Sequence, residues 1–455
     1  MALEVIILAA GQGTRMRSAL PKVLHPLAGT PLVEHVIRAA RGLNAARIHL
    51  VTGHGAEQVQ QTIQGEDLHW VIQAQQLGTG HAVQQVLPFL QADSQVLILY
   101  GDVPLIQAET LAALLQKVSH QAMGLLTVHL DDPHGYGRIV RDASDQVVAI
   151  VEQKDASLAE QAIQEVNTGM MAMQAEHLHQ WLAQINNDNA QGEYYLTDVI
   201  ALAHQQGIRV ATAQPQTADE VEGVNNRQQL AHLERVYQRR QAQLLMEAGV
   251  SLADPARLDV RGQLMTARDV WIDVGCVFEG QVELAEGVEI GPYCHLKNCR
   301  IGPNVKLVSH SVIEGAELMG DNQIGPFARL RPGTLLEAGA KIGNFVETKQ
   351  THLGAGAKAN HLAYLGDAKI GAEANIGAGT ITCNYDGANK HRTLIGAGAF
   401  IGSNSSLVAP VSIGAGATIG AGSTITRDVE DQALAVTRSK SIHKANWPRP
   451  TKKKD

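Results

Sequence analysis

The sequence predicts an α/β domain followed by a parallel β-helix, and three observations carry that prediction. From Ile395 the chain reads IGAGAFIGSNSSLVAPVSIGAGATIGAGSTI, with Ile395, Ile401, Leu407, Ile413, Ile419 and Ile425 six apart. A hexapeptide period marks a parallel β-helix, in which each hexad is a short strand and a corner. Earlier in the chain, short apolar runs alternate with helical stretches, the pattern of a parallel sheet with crossover helices. Glycine is also uneven: of 44, 18 fall in residues 1–250 and 26 in the shorter remainder, which puts a boundary near 250.

Taken in order, residues 4–10 are an apolar run ending at Gly11, as a buried strand should. RIHLVT (47–52), VLILY (96–100) and GLLTVHL (124–130) look alike, and 31–41 and 108–118 are helical between them. Gly11 and Asp102 both follow strands, so they should share the crevice at the strands' carboxyl ends. Residues 226–248 form a helix through Leu230, Leu233, Val236, Tyr237, Leu244 and Leu245, with Gly249 as its C-cap. Hexads begin irregularly near 258 and are clear by Ile290, and Ile324, Leu330, Leu336 and Ile342 again stand six apart. Register breaks after 342, and an insertion separates Ile376 from Ile395. Loops expelled from a solenoid commonly carry function. These two contain HLAYLGD (361–367) and TCNYDGANKHR (382–392). The domain boundaries are therefore 1–227, a linker helix 228–250, and 251–455.

Composition narrows the function. A chain of 455 residues exceeds one ordinary core. A net charge of −8 gives no support to a nucleic-acid binder, and the basic tail Lys452–Lys454 is short enough to be a solvated end. Cysteines at 276, 294, 299 and 383 form no CxxC pair, so neither a zinc site nor a disulfide framework is indicated. The N-terminus MALEVIILAAGQG lacks the basic region of a secretion signal. No apolar run reaches the roughly 18–20 residues of a membrane span. The expectation is a cytoplasmic protein without membrane or nucleic-acid partners.

The first chemical site is LAAGQGTRM (8–16) followed by LPKVL (20–24). A strand entering a glycine-rich turn exposes backbone N–H groups that can cradle phosphates, and Arg15 and Lys22 add positive charge. The GxG alone is equally a tight turn. No Lys-Ser/Thr follows the glycines, so this is not a P-loop, and Met16 replaces the third glycine of a dinucleotide fingerprint. Gln12 is neutral where a basic residue would add a phosphate contact. Asp102 could be a metal-binding carboxylate or a cap at a strand–helix junction. Asn225 could serve as the helix N-cap as well as a ligand, through different atoms.

The string LAAGQGTRM…LPKVL resembles sugar-nucleotide pyrophosphorylases, and further segments match in order: QLGTGHA (76–82), LYGDVPL (99–105), GYGRI (135–139), VEQKD (151–155), NTG (167–169) and VEGVNNR (221–227). With the hexapeptide half, nearly the whole chain resembles the bifunctional GlmU family. Its members are UDP-N-acetylglucosamine pyrophosphorylases and glucosamine-1-phosphate N-acetyltransferases in one chain. The resemblance implies a Rossmann-like nucleotidyltransferase domain and a left-handed β-helix that assembles as a homotrimer. It implies that Leu8, Ala9, Ala10, Gly11, Gln73, Gly78 and Thr79 hold the uridine and its phosphates, and that Tyr100 and Gly101 belong to the same UDP-N-acetylglucosamine site. Arg15 and Lys22 would neutralise the triphosphate, and Asp102 and Asn225 would hold Mg²⁺. Gly137, Glu152 and Asn167 would bind N-acetylglucosamine.

In the second half it implies acetyl-CoA as donor and His361 as general base. A histidine suits that task because its pKa lies near working pH. Yet any one of 19 histidines could be merely structural, and only the HLAYLGD context singles out His361. Arg331, Lys349, Tyr364, Asn375 and Lys390 would hold the sugar phosphate. Ala378, Asn384, Tyr385, Ser403, Ala421 and Arg438 would line the coenzyme A site. The sequence does not identify the oxyanion donor; a backbone N–H near Asn384 is one candidate. Two other readings stand beside this one: a single-activity nucleotidyltransferase on a non-catalytic trimerising β-helix, and a non-catalytic sugar-nucleotide-binding scaffold.

Overall fold

The computed structural model describes residues 2–449. The tail Lys452–Lys454 lies outside the described residues. The chain divides into two compact units, Met1–Tyr237 and Gln238–Asp455, with the boundary inside one long helix, Arg227–Glu247. No helix among the described residues is long and apolar enough to cross a membrane.

The first unit is built on a nine-stranded sheet. Leu3–Ala9 lies in its interior, paired in parallel with Arg47–Thr52 on one side and Gln95–Tyr100 on the other. Successive side chains of a strand point to opposite faces. Accordingly Val5, Ile7 and Ala9 enter one core while Ile6, Leu8 and Ala10 enter another. Burial on both faces explains why VIILA (5–9) is continuously apolar, while the buried Glu4 at the start of the strand is held by His49 at 2.8 Å. The sheet is not parallel throughout. Glu165–Gln174 runs antiparallel between Gln95–Tyr100 and Ala122–His129, and a hairpin of Arg138–Arg141 with Val147–Val151 hangs from it. The chain leaves Leu3–Ala9 toward one edge and returns to the other side as Gln95–Tyr100. That is the topological switch point, where α/β sheets place their ligands.

The helix Arg227–Glu247 closes on Gly249 at φ +93°, with the Val250 N–H bonded to the Leu245 carbonyl. This is a Schellman-type stop, as the glycine predicts. At the other end the cap is Asn226, whose Oδ1 accepts from the N–H groups of Gln228 and Gln229, both at 2.9 Å. The expected capping role of Asn225 is therefore corrected by one residue.

The second unit is a left-handed parallel β-helix of hexapeptide coils. On its 11-stranded sheet, Ile290, Leu307, Ile324, Ile342, Ala359, Ile376, Ile401 and Ile419 pair in succession and stack inward. Each fully buried aliphatic side chain contributes about 1.5–3 kcal/mol. Three hexads make an 18-residue coil, yet most of these steps advance 17 residues and one, Ile376 to Ile401, advances 25. The short coils drop one corner residue, which breaks the sequence period without breaking the stack. The long step expels the 384–391 loop. Cys276, Cys294 and Cys299 are buried in this unit and Cys383 is half-buried; all four are free thiols.

Candidate active sites

In the first unit the glycine-rich turn packs directly on the lysine that follows it. Gly13 has φ +61°, and a Cβ there would lie 2.7 Å from Lys22 Cβ. A cleft of about 320 Å³ opens beside this turn. It gathers Leu8 to Gly11, Lys22, Gln73, Gly78, Thr79, Tyr100 and Asp102 from separate elements. Gly101 stands behind it, its N–H bonded to the Leu8 carbonyl. Gly78 has φ +109°, and a Cβ there would meet the Tyr194 carbonyl oxygen at 2.6 Å, so no other residue fits. Gln76 and Glu193 also line the cleft. Sequence reasoning missed both, since neither stands out chemically within its segment.

Lys22, Asp102, Asn225 and Arg15 meet as one charged group. Lys22 Nζ donates to Asp102 Oδ2, and both side chains are about 15% exposed. The same ammonium reaches Asn225 Oδ1 at 3.3 Å, and Arg15 Nη2 donates to that oxygen at 2.9 Å. Two oxygens, one carboxylate and one amide, thus converge on a single point. That donor set suits a hard divalent cation, which takes one or two protein oxygens and completes its shell with phosphate and water.

Gly137, Glu152 and Asn167 form a second group, joined to the cleft through Tyr100. The Asn167 N–H donates to the Gly137 carbonyl at 2.8 Å, and a Cβ on Gly137 would lie 3.4 Å from a Glu152 oxygen. The Tyr100 ring packs on Gly169, where a Cβ would come within 2.4 Å of it. Burial pushes the Tyr100 hydroxyl pKa up, and the Glu152 and Asp102 charges add to it. Burial likewise raises the Glu152 carboxyl, the Thr197 hydroxyl at 3.3 Å draws it partly back, and Asp155 and Asp198 push it up again. Thr197 was not legible in the sequence.

In the β-helix, His361 ends the strand Lys358–His361 and pairs with Asn344 one coil earlier. Its Nδ1 lies 2.9 Å from Asn344 Oδ1. With the amide oxygen accepting, Nδ1 carries the proton and Nε2 keeps its lone pair, the arrangement a base requires. His361 and Asn344 border a hollow of about 230 Å³.

Arg331, Lys349 and Lys390 converge. The Lys390 ammonium contact depresses the pKa of Lys349, and the charge of Arg331 adds to the effect. Three cations held this close call for an anion. Arg331 also donates to Glu347 at 2.9 Å. The Tyr364 hydroxyl and the Asn384 amide both stand over Gly366, and Asn384 Nδ2 donates to Asp367. Tyr385 pairs with Lys390 across the expelled loop.

Asn375 is placed apart from these cations: it sits between Lys358 and Phe400 on the 11-stranded sheet, the sheet that also carries His361. Ala378, Ser403 and Ala421 occupy one position in three successive coils, each two residues past the stacked Ile376, Ile401 and Ile419. Arg438 closes that column, its Nη1 donating to the Thr437 carbonyl at 2.9 Å. The Asn384 N–H donates to the Thr382 carbonyl at 2.9 Å. Asn344, Glu347 and Asp367 were missed. Their signal was an offset of about one coil, 16 or 17 residues, from residues that were found.

Comparison with known proteins accounts for both halves. Residues 5–241 match the MobA-like NTP transferase domain family, and residues 392–427 match the bacterial transferase hexapeptide family of six repeats. A solved structure of UDP-glucose pyrophosphorylase complexed with UDP-glucose covers 53% of this chain and 100% of its own, at 16% identity and a TM-score of 0.44. The bifunctional protein GlmU of Marinobacter nauticus is 57% identical over 99% of both chains. That of Stutzerimonas stutzeri is 60% identical over the whole of both. At such identity over the full length, with the charged cleft in one unit and the His361 strand in the other, the chain belongs to the GlmU family.

Proposed function

We propose that the chain makes UDP-N-acetylglucosamine in two steps, each in its own domain. The β-helix, residues 251–455, acetylates glucosamine 1-phosphate from acetyl-CoA. Residues 1–227 then transfer uridylyl from UTP to N-acetylglucosamine 1-phosphate and release pyrophosphate, and residues 228–250 link the two. The observation that carries this is that each unit holds a separate built site: four polar groups meeting at Lys22 in one, three convergent cations and an oriented histidine in the other.

In uridylyl transfer, Leu8 to Gly11, Gln73, Gly78 and Thr79 hold the nucleotide. A pocket that hydrogen-bonds the base edge rejects other bases because a wrong one leaves buried groups unpaired. Arg15 and Lys22 bind the triphosphate, and Gly137, Glu152 and Asn167 orient the sugar. A phosphate oxygen of the sugar phosphate attacks the α-phosphorus in line, and pyrophosphate leaves with the electron pair of the broken P–O bond. Asp102 and Asn225 would hold Mg²⁺, which when bound supplies charge neutralisation on the phosphates. Positioning and charge do most of the work in such a reaction.

In acetyl transfer, Arg331, Lys349 and Lys390 bind the sugar phosphate with Tyr364 and Asn375. His361 Nε2 takes a proton from the 2-amine as its nitrogen attacks the thioester carbonyl. The tetrahedral adduct collapses, the C–S bond breaks, and coenzyme A leaves as its thiol once protonated. Asn384, Tyr385, Ser403 and Arg438 contact the coenzyme along the small-residue column at Ala378 and Ala421. His361 and Asn375 lie on one sheet, whereas Lys349 lies on the other, Arg331 just past one of that sheet's strands, and Lys390 in the expelled loop. A homotrimer, in which the faces of neighbouring chains meet, would bring the two sets together. The protein works in the cytoplasm.

A two-part assay tests this. Purified protein receives glucosamine 1-phosphate, acetyl-CoA, UTP and Mg²⁺, and free thiol and pyrophosphate are followed separately. Release of both, with pyrophosphate dependent on acetyl-CoA, is the expected result. Pyrophosphate from added N-acetylglucosamine 1-phosphate without thiol would leave the β-helix as a trimerising rod. Release of neither would leave a binding scaffold.

A further inference from the structure

We propose that Lys22 acts as a stand-in cation: its ammonium holds Asp102 and Asn225 in the arrangement a divalent cation takes, so that the metal enters together with the triphosphate and not ahead of it. This rests on the uridylyl-transfer function proposed above.

The two oxygens that would bind the metal are both already engaged by protein cations. Lys22 Nζ donates to Asp102 Oδ2 and, at 3.3 Å, to Asn225 Oδ1, while Arg15 donates to Asn225 Oδ1 at 2.9 Å. An ammonium and a divalent ion repel strongly at such separations, so they cannot occupy one point between two oxygens. Mg²⁺ also gives up its water reluctantly and gains little from a site whose negative charge is already matched. A triphosphate changes the balance. Its oxygens offer Lys22 and Arg15 several new acceptors, and charge-assisted hydrogen bonds of that kind are among the stronger ones. As the two cations turn to the phosphates, Asp102 and Asn225 are released to the incoming ion.

The backbone favours such an exchange. Gly13 leaves no more than room for the Lys22 stem, since a Cβ there would meet Lys22 Cβ at 2.7 Å. The stem is thereby held against the phosphate-binding turn while the ammonium, at the end of a flexible chain, can swing between carboxylate and phosphate.

The test uses the full chain with Mn²⁺ as probe and no nucleotide, measured by electron paramagnetic resonance and by calorimetry. The wild type should bind Mn²⁺ weakly. Lys22→Met and Lys22→Gln should bind it at least about tenfold more tightly, because a neutral side chain frees Asp102 Oδ2 and takes one positive charge out of the site. Lys22→Arg, which keeps the charge, should stay near the wild type. Adding Asp102→Asn to Lys22→Met should abolish the gain and so locate it at this site. Thermal melting establishes that each variant is folded, and two neutral variants guard against the failure of one. Mn²⁺ binding by both neutral variants no tighter than by the wild type would overturn the proposal. Magnesium-dependent pyrophosphate release by the wild type is measured alongside. Its presence with no gain in the variants refutes only the role of Lys22, while its absence refutes the uridylyl-transfer function itself.

Discussion

Two adjacent asparagines should respond to the same substitution in opposite ways. Asn226 Oδ1 accepts from the N–H groups of Gln228 and Gln229 at 2.9 Å each, at the start of the 21-residue helix Arg227–Glu247. Replacing a capping asparagine by alanine costs about 1 kcal/mol, within a range of roughly 0.5–2. For a unit the size of Met1–Tyr237 this lowers the melting temperature by about 2–4 °C. Asn225 Oδ1 instead accepts from Lys22 and Arg15. This oxygen is also the one proposed to hold the metal once Lys22 and Arg15 turn to the triphosphate, so losing it should slow uridylyl transfer roughly 10–100-fold. Its effect on melting should be small, because Lys22 retains Asp102. The assay pairs calorimetric melting with pyrophosphate release for Asn225→Ala and Asn226→Ala. If Asn226→Ala loses activity without losing stability, or Asn225→Ala melts as early as Asn226→Ala, the division of labour is wrong.

Other perturbations follow from the same geometry. Gly78→Ala should cost about 1–3 kcal/mol from its positive φ alone and weaken UTP binding, read as a lower melting temperature with a raised KM for UTP. His361→Ala should abolish acetyl transfer and leave uridylyl transfer intact, while Asn344→Ala should reduce acetyl transfer less severely, by about 10–100-fold, by freeing the imidazole. Burial pushes the thiols of Cys276 and Cys299 up to about 12 and that of Cys294 up to about 11. At pH 8 an aromatic disulfide reagent should therefore label Cys383 quickly and the other three only after unfolding. Glu152 has a raised folded-state pKa, so its contribution is fully present below the ordinary carboxylate range and is lost as pH rises through the raised value. Glu152→Gln removes that loss, and denaturant melts should show the variant gaining on the wild type as pH rises from 4 to 8.

The sequence disclosed those parts of the fold in which each residue declares its own environment. A six-residue period of Ile and Leu needs no partner to be recognised, and neither does a strand that turns into Gly11. Direction was harder. Glu165–Gln174 is buried on both faces, so its pattern carries no sign that it runs against its neighbours. Coil length was hidden as well, because dropping one corner residue shifts the period while Ile324, Ile342 and Ala359 still stack. Partners such as Asn344 for His361 become visible only once the 17-residue step is known. Asn225 and Asn226 are chemically identical, and only their hydrogen bonds tell the one that faces Arg15 and Lys22 from the cap.

The stacked coils also set a scale of length. Neighbouring strands lie about 4.8 Å apart, so Ala378, Ser403 and Ala421 mark steps of that size along the β-helix, with Arg438 just past the next. A long, thin molecule laid along this column is measured against it as against a ruler. Deleting the coil 404–421 would leave the remaining strands in register, with Ile401 taking the place of Ile419 beside Ala435. It would nonetheless bring Arg438 one graduation nearer, and an acyl carrier of unchanged length would overshoot its mark.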